Sequence, residues 1–465
     1  MNKSSIFWYD LETFGTNPQV DRIAQMAGIR TDLDLNIISE EMIIYQKPTP
    51  DYLPSIDACL LTGITPQIAM EKGSDEVEFL NKILKEFMVP NTTVAGFNSI
   101  NFDDEFIRND LYKNLFDPYR REYINGCSRW DIINLVRACH DLAPEGINFN
   151  HKTEKGNTSF KLVHLTEDNN IEQVGAHDAM VDVYATINVA KLIKKKQPGL
   201  FDYYFKNHYK NEEKKLIDIA DHTPLILTSV NFTTPLGSTR PIAPLFIKDN
   251  TVYAFDLTKD ATILQEANEN EISTLDGIVR FAINKAPFIA PFNVLKKDNR
   301  AQRLGISIET AERNLAIIRK DSSIAKKFAL SNQEFIKKDS DPDLLLYEDT
   351  FTSKRDTLNL AIIQNTKPSD KLFKNLIFDQ PKYHELLFRQ VGRNWPQFLT
   401  DEQKALWKNF CSSRLLQPLS TGIDYFTYMR NIEEKLNSKS VTGKEKLILL
   451  ALKQYGEAIY SYAFT

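Results

Sequence analysis

The chain has 465 residues, of which 42% are hydrophobic and 26% charged, and its formal net charge is −5. These values are ordinary for a soluble globular protein, and the length predicts two to four domains because one core rarely grows so large. No apolar run approaches the roughly 20 residues of a membrane span, and the N-terminal MNKSSIFWYD lacks the pattern of a signal peptide. The four cysteines form no CxxC pair, which favours reduced thiols in a cytoplasmic protein over disulfides or a zinc site.

The first 200 residues predict an α/β domain. Residues 6–10, 23–30 and 41–47 are apolar runs between polar turns and predict an antiparallel meander, and 93–97 predicts a short buried strand. Apolar periodicity predicts helices at 74–87, 103–114, 130–142 and 178–196. The Gln-Pro-Gly sequence at 197–199 is a strong stop signal, which indicates a domain boundary.

The rest of the chain divides into a β-rich part and a helical part. Short β segments with prolines, at 224–230, 241–248 and 252–257, predict a small barrel or sandwich. From 299 onward the pattern is helical, and the aromatic residues of the last segment, such as Trp407 and Tyr428, are predicted to lie in its core. We therefore predict domains at 1–198, 199–345 and 346–465.

Two carboxylates, Asp10 and Glu12, close the first predicted strand after the apolar run IFWY. Residues i and i+2 of a strand point to the same face, so both side chains can meet one group of cations. Acids at strand ends are common and usually only solvated. Two that face the same way in an apolar setting are costly unless something positive lies between them.

A second acidic pair, Asp103 and Asp104, follows the strand at 93–97. Acids at a helix start often cap it and interact with its dipole, and we interpret Asp104 in this way. Further on, Asp182 lies among apolar neighbours inside a predicted helix, where an acid requires a partner. His177 precedes this helix, a position where a histidine is more often a surface or capping residue than a catalyst.

Together these residues resemble the DEDD exonuclease superfamily, in its histidine-bearing branch. The order is Asp10 and Glu12, then Asp103, then His177 five residues before Asp182. The segments FWYDLETFGTNPQVDRIAQMAGIRTD, NFDDEFIRN, SRWDIINLVRAC and AHDAMVDVYATI resemble bacterial exonuclease I, and the resemblance continues more weakly to the C-terminus. It implies a ribonuclease-H-like domain with a mixed sheet, an SH3-like middle domain and an all-helical C-terminal domain.

The resemblance also implies an activity. The expected enzyme is a 3′→5′ exodeoxyribonuclease that degrades single-stranded DNA with a free 3′ end to nucleoside 5′-monophosphates, in DNA repair and recombination. Magnesium prefers carboxylate oxygens, so we expect two Mg²⁺ ions, replaceable by Mn²⁺, on Asp10, Glu12, Asp103 and Asp182. His177 is the expected general base, because its ordinary pKa of about 6.5 lets it accept a proton at cellular pH.

Binding of a single strand requires positive charge and aromatic rings. The net charge argues mildly against a polyanion ligand, but basic residues cluster at 191–215 and 296–327. Taken alone, such clusters are more often solvated helix faces. By resemblance, the expected DNA contacts are Glu12, Arg108, Tyr119, Tyr123, Arg137 and Lys161.

A protein partner is expected as well: the acidic C-terminal tail of single-stranded-DNA-binding protein. Such a tail needs an apolar pocket rimmed by basic residues, and Arg303 is the expected contact for its carboxylate. The apolar residues nearby are Phe288, Ile289, Phe292 and Leu295, and the alternative is that they only pack the middle domain against the first helix. We expect no membrane contact and a monomer.

Two alternatives stay open from the sequence. One is an RNA-directed 3′→5′ exoribonuclease of the same superfamily, which the additional residues after the first domain disfavour because such enzymes usually have one domain. The other is a non-catalytic scaffold that binds single strands. The complete set of acids disfavours the scaffold, since a silent copy has no physical reason to keep them clustered.

Overall fold

A five-stranded mixed sheet forms the centre of the first 200 residues in the computed structural model, which describes residues 4–173, 178–331, 341–347, 352–419 and 422–465. Its strands are β1 (Ser5–Thr13), β2 (Ile23–Thr31), β3 (Met42–Tyr45), β4 (Thr92–Gly96) and β5 (Ser128–Asp131), in the order β3-β2-β1-β4-β5. β1, β2 and β3 pair antiparallel, whereas β4 runs parallel to β1 and to β5. The predicted meander and mixed sheet are confirmed.

Helices cover both faces of this sheet. They are α1 (Ile56–Thr62), α2 (Pro66–Lys72), α3 (Glu76–Phe87), α4 (Asp103–Lys113), α5 (Ile132–Leu142), α6 (Leu162–Asp168) and α7 (Ala179–Lys196). The helix predicted from residue 130 begins two residues later, because Trp130 and Asp131 end β5 and pair with β4. The apolar WDII segment fits either element, and the sequence pattern could not separate them.

Alternation along β1 decides which side chains face which helices. Phe7, Tyr9 and Leu11 pack in one buried cluster with α3 and α4. Ile6 and Trp8 pack on the opposite face, in a cluster that includes α5 and α7. Asp10 and Glu12 therefore lie on the α7 face, since residues two apart share a face. Every residue of β1 is buried except Asp10, which is half-buried.

The middle of the chain forms a second, antiparallel sheet. Its strands are β6 (Leu225–Thr228), β7 (Thr239–Lys248), β8 (Thr251–Asp256), β9 (Ile278–Ala282) and β10 (Phe288–Pro291), in the order β10-β6-β7-β8-β9. The helices around it are α8 (Pro198–Asn207), α9 (Lys210–Leu216), α10 (Ile263–Glu266), α11 (Arg300–Arg303), α12 (Ile308–Lys320) and α13 (Ile324–Leu330). Asp141 at the end of α5 anchors this part, because its carboxylate accepts hydrogen bonds from Ser238 N (2.8 Å) and Thr239 Oγ1 (2.6 Å).

The C-terminal part is helical, as predicted. It comprises α14 (Lys354–Gln364), α15 (Lys382–Asn394), α16 (Asp401–Leu416), α17 (Tyr425–Leu436) and α18 (Gly443–Phe464). Trp407 and Tyr428 are buried, as expected. Tyr428 shares a core cluster with Phe14 and Cys59 of the first domain. The helical part therefore packs directly on α1 rather than standing apart.

A buried ion network joins the first domain to the C-terminal helical part. The guanidinium of Arg393 lies 2.9 Å from Asp51 and 2.6 Å from Asp343, and all three side chains are almost fully buried. Arg22 lies 3.7 Å from Asp51 and 3.5 Å from Glu76. Burial opposes the charged form of Asp51, but Arg393 and Arg22 lower its pKa to about 2. Removing one partner of such a network leaves an uncompensated buried charge.

All four cysteines are buried free thiols. Within the described ranges, we find no helix with the length and apolarity of a membrane span.

The predicted domain boundary at 198 falls where α8 begins directly after α7, and the one at 345 falls in a turn. Both boundaries stay predictions.

Glu213 in α9 supplies a test of stability against pH. Its side chain is buried, both carboxylate oxygens lack a hydrogen-bond partner among the described residues, and burial raises its pKa to about 9. In the unfolded chain the Glu213 carboxyl loses its proton near pH 4.5, whereas in the folded protein it keeps the proton up to about pH 9. Because deprotonation favours the unfolded chain between these values, the free energy of unfolding falls as pH rises from about 4.5 to about 9. We expect Glu213→Gln to raise the melting temperature by several degrees at pH 8 and hardly at all at pH 5.

Thermal denaturation of both proteins across this range measures the effect, with Glu212→Gln as the control at the neighbouring, less buried position. A Glu213→Gln gain that does not depend on pH would contradict the assignment.

Candidate active site

Three carboxylates meet between β1 and α7. The ligand oxygens of Asp10, Glu12 and Asp182 all lie within 4.8 Å of one another. Asp10 and Glu12 come from the α7 face of β1, and Asp182 comes from the first turn of α7, which packs on β1. Strand alternation and a single helix are therefore sufficient to bring the three acids together.

Asp103 adjoins this group and comes from α4, which packs on the opposite face of the sheet. It is the first residue of α4, and its Oδ1 accepts a hydrogen bond from the backbone N of Leu11 at 3.0 Å. That bond ties the helix start to β1 between the two strand carboxylates. Of the four predicted metal ligands, the structure brings three into one group and places Asp103 beside Asp10.

Burial and mutual repulsion change the acidity of these groups. The pKa of Asp10 is raised well above its usual range, first by burial and then by Asp103 and Asp182. The pKa of Glu12 is raised to about 9 by burial, Asp10 and Asp182. Burial likewise raises the pKa of Asp103. These oxygens suit a hard divalent cation, which would offset the repulsion and favour the charged forms. The site is therefore a divalent metal site.

The loop before α4 is held by Asp131, a residue that the sequence analysis did not single out. Its carboxylate accepts hydrogen bonds from Asn98 N (2.8 Å), Ile100 N (3.1 Å) and Ile133 N (3.0 Å). It thus joins the β4–α4 loop to the start of α5. Gly96 begins this loop, and a Cβ there would lie 2.9 Å from Tyr9 O and 2.7 Å from Ser99 Cβ. Asp131 closes β5 just before α5, as Asp10 and Glu12 lie near the end of β1, and this similarity was the available signal.

The interpretation of Asp104 as only a helix-capping residue is wrong. Asp104 is buried and lies 2.7 Å from Arg121 and 2.7 Å from Arg129, and it accepts a hydrogen bond from Tyr9 Oη at 2.9 Å. Burial opposes its charge, yet Arg121 and Arg129 hold the pKa of Asp104 below its usual range. The adjacent Asp103 is thereby fixed in position by a buried ion pair. The sequence could not show this, because the two arginines follow Asp104 by 17 and 25 residues, beyond the reach of helical spacing.

The residues expected to bind DNA differ in how accessible they are. Tyr123 is 64% exposed and Tyr119 is 36% exposed, so both can offer a ring to a base. Arg108 is only 3% exposed and makes two bonds to Glu122, at 2.7 and 3.0 Å. Its guanidinium is held inside the protein, so a phosphate would have to compete with a carboxylate. Its direct role stays a prediction.

The remaining expected residues lie around the same domain. Arg137 is buried beside Asn134 and over the ring of Phe160, whereas Lys161 is exposed at the start of α6. Neither position tests a DNA contact. His177 lies outside the described residues, and its role stays a prediction.

The expected partner surface needs a correction. Arg303 is partly exposed, and its guanidinium donates to Asp141 O at 2.7 Å. The apolar residues meant to form the pocket are instead buried, at 7% exposure or less: Phe288, Phe292 and Leu295 lie in a core cluster that includes first-domain residues, and Ile289 lies in a cluster of the second sheet. The packing alternative is the correct one for them. Several cations of the 296–327 stretch also bond to protein groups, among them Lys296 with Glu312.

Comparisons with known families match all three parts of the chain. Residues 7–190 match the family described as Exonuclease, 208–331 match Exonuclease I SH3-like domain, and 340–459 match Exonuclease I C-terminal domain. Exodeoxyribonuclease I of Haemophilus influenzae is 40% identical over 481 residues, which cover 98% of each chain.

Solved structures agree with these matches. E. coli exonuclease I in complex with a dA16 oligonucleotide superimposes with a TM-score of 0.90 at 36% identity, over 98% of this chain and 100% of that one. A structure described as SSB/Exonuclease I in complex with inhibitor CFAM has a TM-score of 0.88 at 35% identity, over 98% of this chain and 100% of that one. The expected domain types, including the SH3-like one, are confirmed.

The buried Asp104 pair leads to a stability prediction. We expect Arg121→Met to lower the free energy of unfolding by about 3–5 kcal/mol, because it leaves the Asp104 carboxylate buried with one cation fewer. Chemical denaturation measures the loss. Arg120→Met is the matched control, since Arg120 is exposed and its loss should cost less than about 0.5 kcal/mol. Equal stability of the two variants would show that the pair does not anchor α4.

Proposed function

The chain belongs to the exonuclease I family, and we propose that it removes nucleotides one at a time from the 3′ end of single-stranded DNA and releases nucleoside 5′-monophosphates. The observation that carries this proposal is the convergence of Asp10, Glu12 and Asp182 at one point, with Asp103 beside them. Carboxylates so placed have little use in a passive binding surface, since their repulsion weakens a fold that holds no cation.

The cofactor is two Mg²⁺ ions, for which Mn²⁺ can substitute, on Asp10, Glu12, Asp103 and Asp182. When bound, the ions lower the pKa of water and stabilise the charge that develops on the phosphate and the leaving oxygen. The donor set supports this choice, because it consists of carboxylate oxygens without cysteine.

The protein's own residues bind the strand and move a proton. His177 takes the proton of the attacking water as general base, and Glu12 also contacts the terminal nucleotide. The exposed rings of Tyr119 and Tyr123 stack on bases, while Lys161 and Arg137 attract the backbone. The guanidinium carbon of Arg108 lies 5.3 Å from the centroid of the Tyr119 ring and stacks over it. Arg108 therefore holds this ring in place, independently of any contact with a phosphate.

DNA rather than RNA is the substrate. The support is the full-length match to an exodeoxyribonuclease and to a structure solved with a DNA oligonucleotide. We place the enzyme in the cytoplasm as a monomer, in DNA repair and recombination, with domain boundaries at 198 and 345. A labelled oligonucleotide, DNA or RNA and single- or double-stranded, incubated with Mg²⁺, tests the substrate directly. Faster loss of the RNA strand would favour the exoribonuclease alternative.

The partner is the C-terminal tail of single-stranded-DNA-binding protein, with Arg303 as the contact for its carboxylate. One solved relative is described as a complex that includes SSB. The side chain of Arg303 is 38% exposed, which leaves part of its guanidinium accessible. An enzyme that digests single strands meets them coated, so a contact with the coat would bring it to the 3′ end.

The metal assignment predicts a separation of hydrolysis from binding. We expect Asp103→Ala and Asp182→Ala to lower the rate of hydrolysis by at least about 10²-fold while affinity for single-stranded DNA changes little. The reason is that the metal ligands act in the chemical step, whereas many phosphate and base contacts supply affinity. Single-turnover digestion and fluorescence anisotropy measure the two quantities. Asp117→Ala, at an exposed position outside the acidic group, is the control. Turnover near the wild-type rate in either variant would disprove the assignment.

The partner assignment predicts a loss of peptide binding. Arg303→Ala should weaken binding of a labelled tail peptide by about tenfold, because a charge-assisted bond to the carboxylate is removed. Hydrolysis of bare DNA should not change. Lys297→Ala, at an exposed position nearby, should bind the peptide as the wild type does. Equal affinity of the Arg303→Ala variant would exclude Arg303, and no binding to the wild type would exclude the partner.

A further inference from the structure

Asp182 receives a hydrogen bond from a residue outside the acidic group. Gln173 Nε2 donates to Asp182 Oδ1 at 2.6 Å. Gln173 lies in the segment between α6 and α7 and carries no charge, so neither its position nor its type marks it as part of the site. A bond this short to a carboxylate is of the charge-assisted kind, which is stronger than one between neutral groups.

The other end of the Gln173 amide is anchored as well. Thr166 Oγ1 lies 2.6 Å from Gln173 Oε1 and 2.8 Å from Val163 O, so its hydroxyl hydrogen can serve either acceptor. Thr166 is 1% exposed, and α6, which carries it, packs against α7. The buried hydroxyl therefore gives the amide a fixed point in the core.

The chemistry of the partners determines the orientation of the amide. An ionised carboxylate only accepts hydrogen bonds, so the Nε2 group must face Asp182. The Oε1 atom then faces Thr166, which can donate. The bonds run in one direction, from the Thr166 hydroxyl through the Gln173 amide to Asp182, and bonds in such a chain polarise one another.

We propose that Gln173 is a positioning residue for the metal site: its hydrogen bond to Oδ1 of Asp182 keeps that carboxylate directed to the cation. This inference rests on the proposed function. Asp10 and Glu12 lie close enough to repel Asp182, and the bond from Gln173 opposes rotation of the Asp182 side chain away from them. Partners that orient metal ligands in this way commonly change metal affinity by about 10–100-fold when they are removed.

Direct metal binding to the full-length protein tests the proposal. The probe is Mn²⁺, which accepts the same oxygen ligands as Mg²⁺, titrated calorimetrically without DNA. Gln173→Met keeps the length of the side chain and removes its N–H group, and it should weaken Mn²⁺ binding by about 10–100-fold. Thr166→Val should weaken binding less, because Gln173 keeps its own bond to Asp182. The double variant should bind as Gln173→Met does, since the threonine acts only through the glutamine.

Controls separate positioning from folding. Glu172→Gln changes the neighbouring exposed side chain and should bind Mn²⁺ as the wild type does. Melting temperatures in EDTA show whether each variant is folded, and the KM for single-stranded DNA should stay constant while the Mg²⁺ concentration for half-maximal rate rises. Wild-type Mn²⁺ affinity in a folded Gln173→Met variant would overturn the positioning role alone. A wild-type protein that binds no Mn²⁺ would overturn the metal site and with it the proposed function.

Discussion

Repulsion between carboxylates is the constraint on which the structure of the active site depends. Asp10, Glu12 and Asp182 converge with Asp103 alongside, and burial makes each negative charge more costly. Left to themselves, these side chains would separate or take up protons. The fold prevents separation by fixing them on three rigid supports: Asp10 and Glu12 on a central strand, Asp103 at the start of α4 and Asp182 in the first turn of α7. Bound cations would offset this repulsion, since they favour the charged carboxylates that the apolar surroundings disfavour.

The start of α4, which carries Asp103, is itself held in place by ion pairs of the residues that follow Asp103. Asp104 ties the start of α4 to two arginines, and Glu105, next in sequence, extends this to the other domains. Its carboxylate lies 3.1 Å from Lys285 of the middle domain and accepts a hydrogen bond from Tyr347 near the start of the helical part. Arg108 also bonds to it, at 2.9 Å. All three domains therefore touch the helix that presents Asp103.

The sequence was sufficient for features that follow from local periodicity. The i, i+2 spacing placed Asp10 and Glu12 on one face, and an acid among apolar helix residues identified Asp182. It was insufficient where a side chain's role depends on distant partners. Asp104 looks like any acid at a helix start until Arg121 and Arg129 approach it. The same limit applies to the apolar residues near Arg303, because sequence does not distinguish a pocket from the core, and to Gln173, which has no charge or motif.

The ion network around Arg393 bears on how the protein is made. Asp51 and Glu76 belong to the part of the chain that a ribosome synthesises first, whereas Arg393 emerges more than 300 residues later. Until then, the nascent first domain lacks a cation that its buried carboxylates require, together with the apolar surface that α17 and α18 cover. Synthesis therefore has to reach the C-terminal helices before the N-terminal domain attains its final stability.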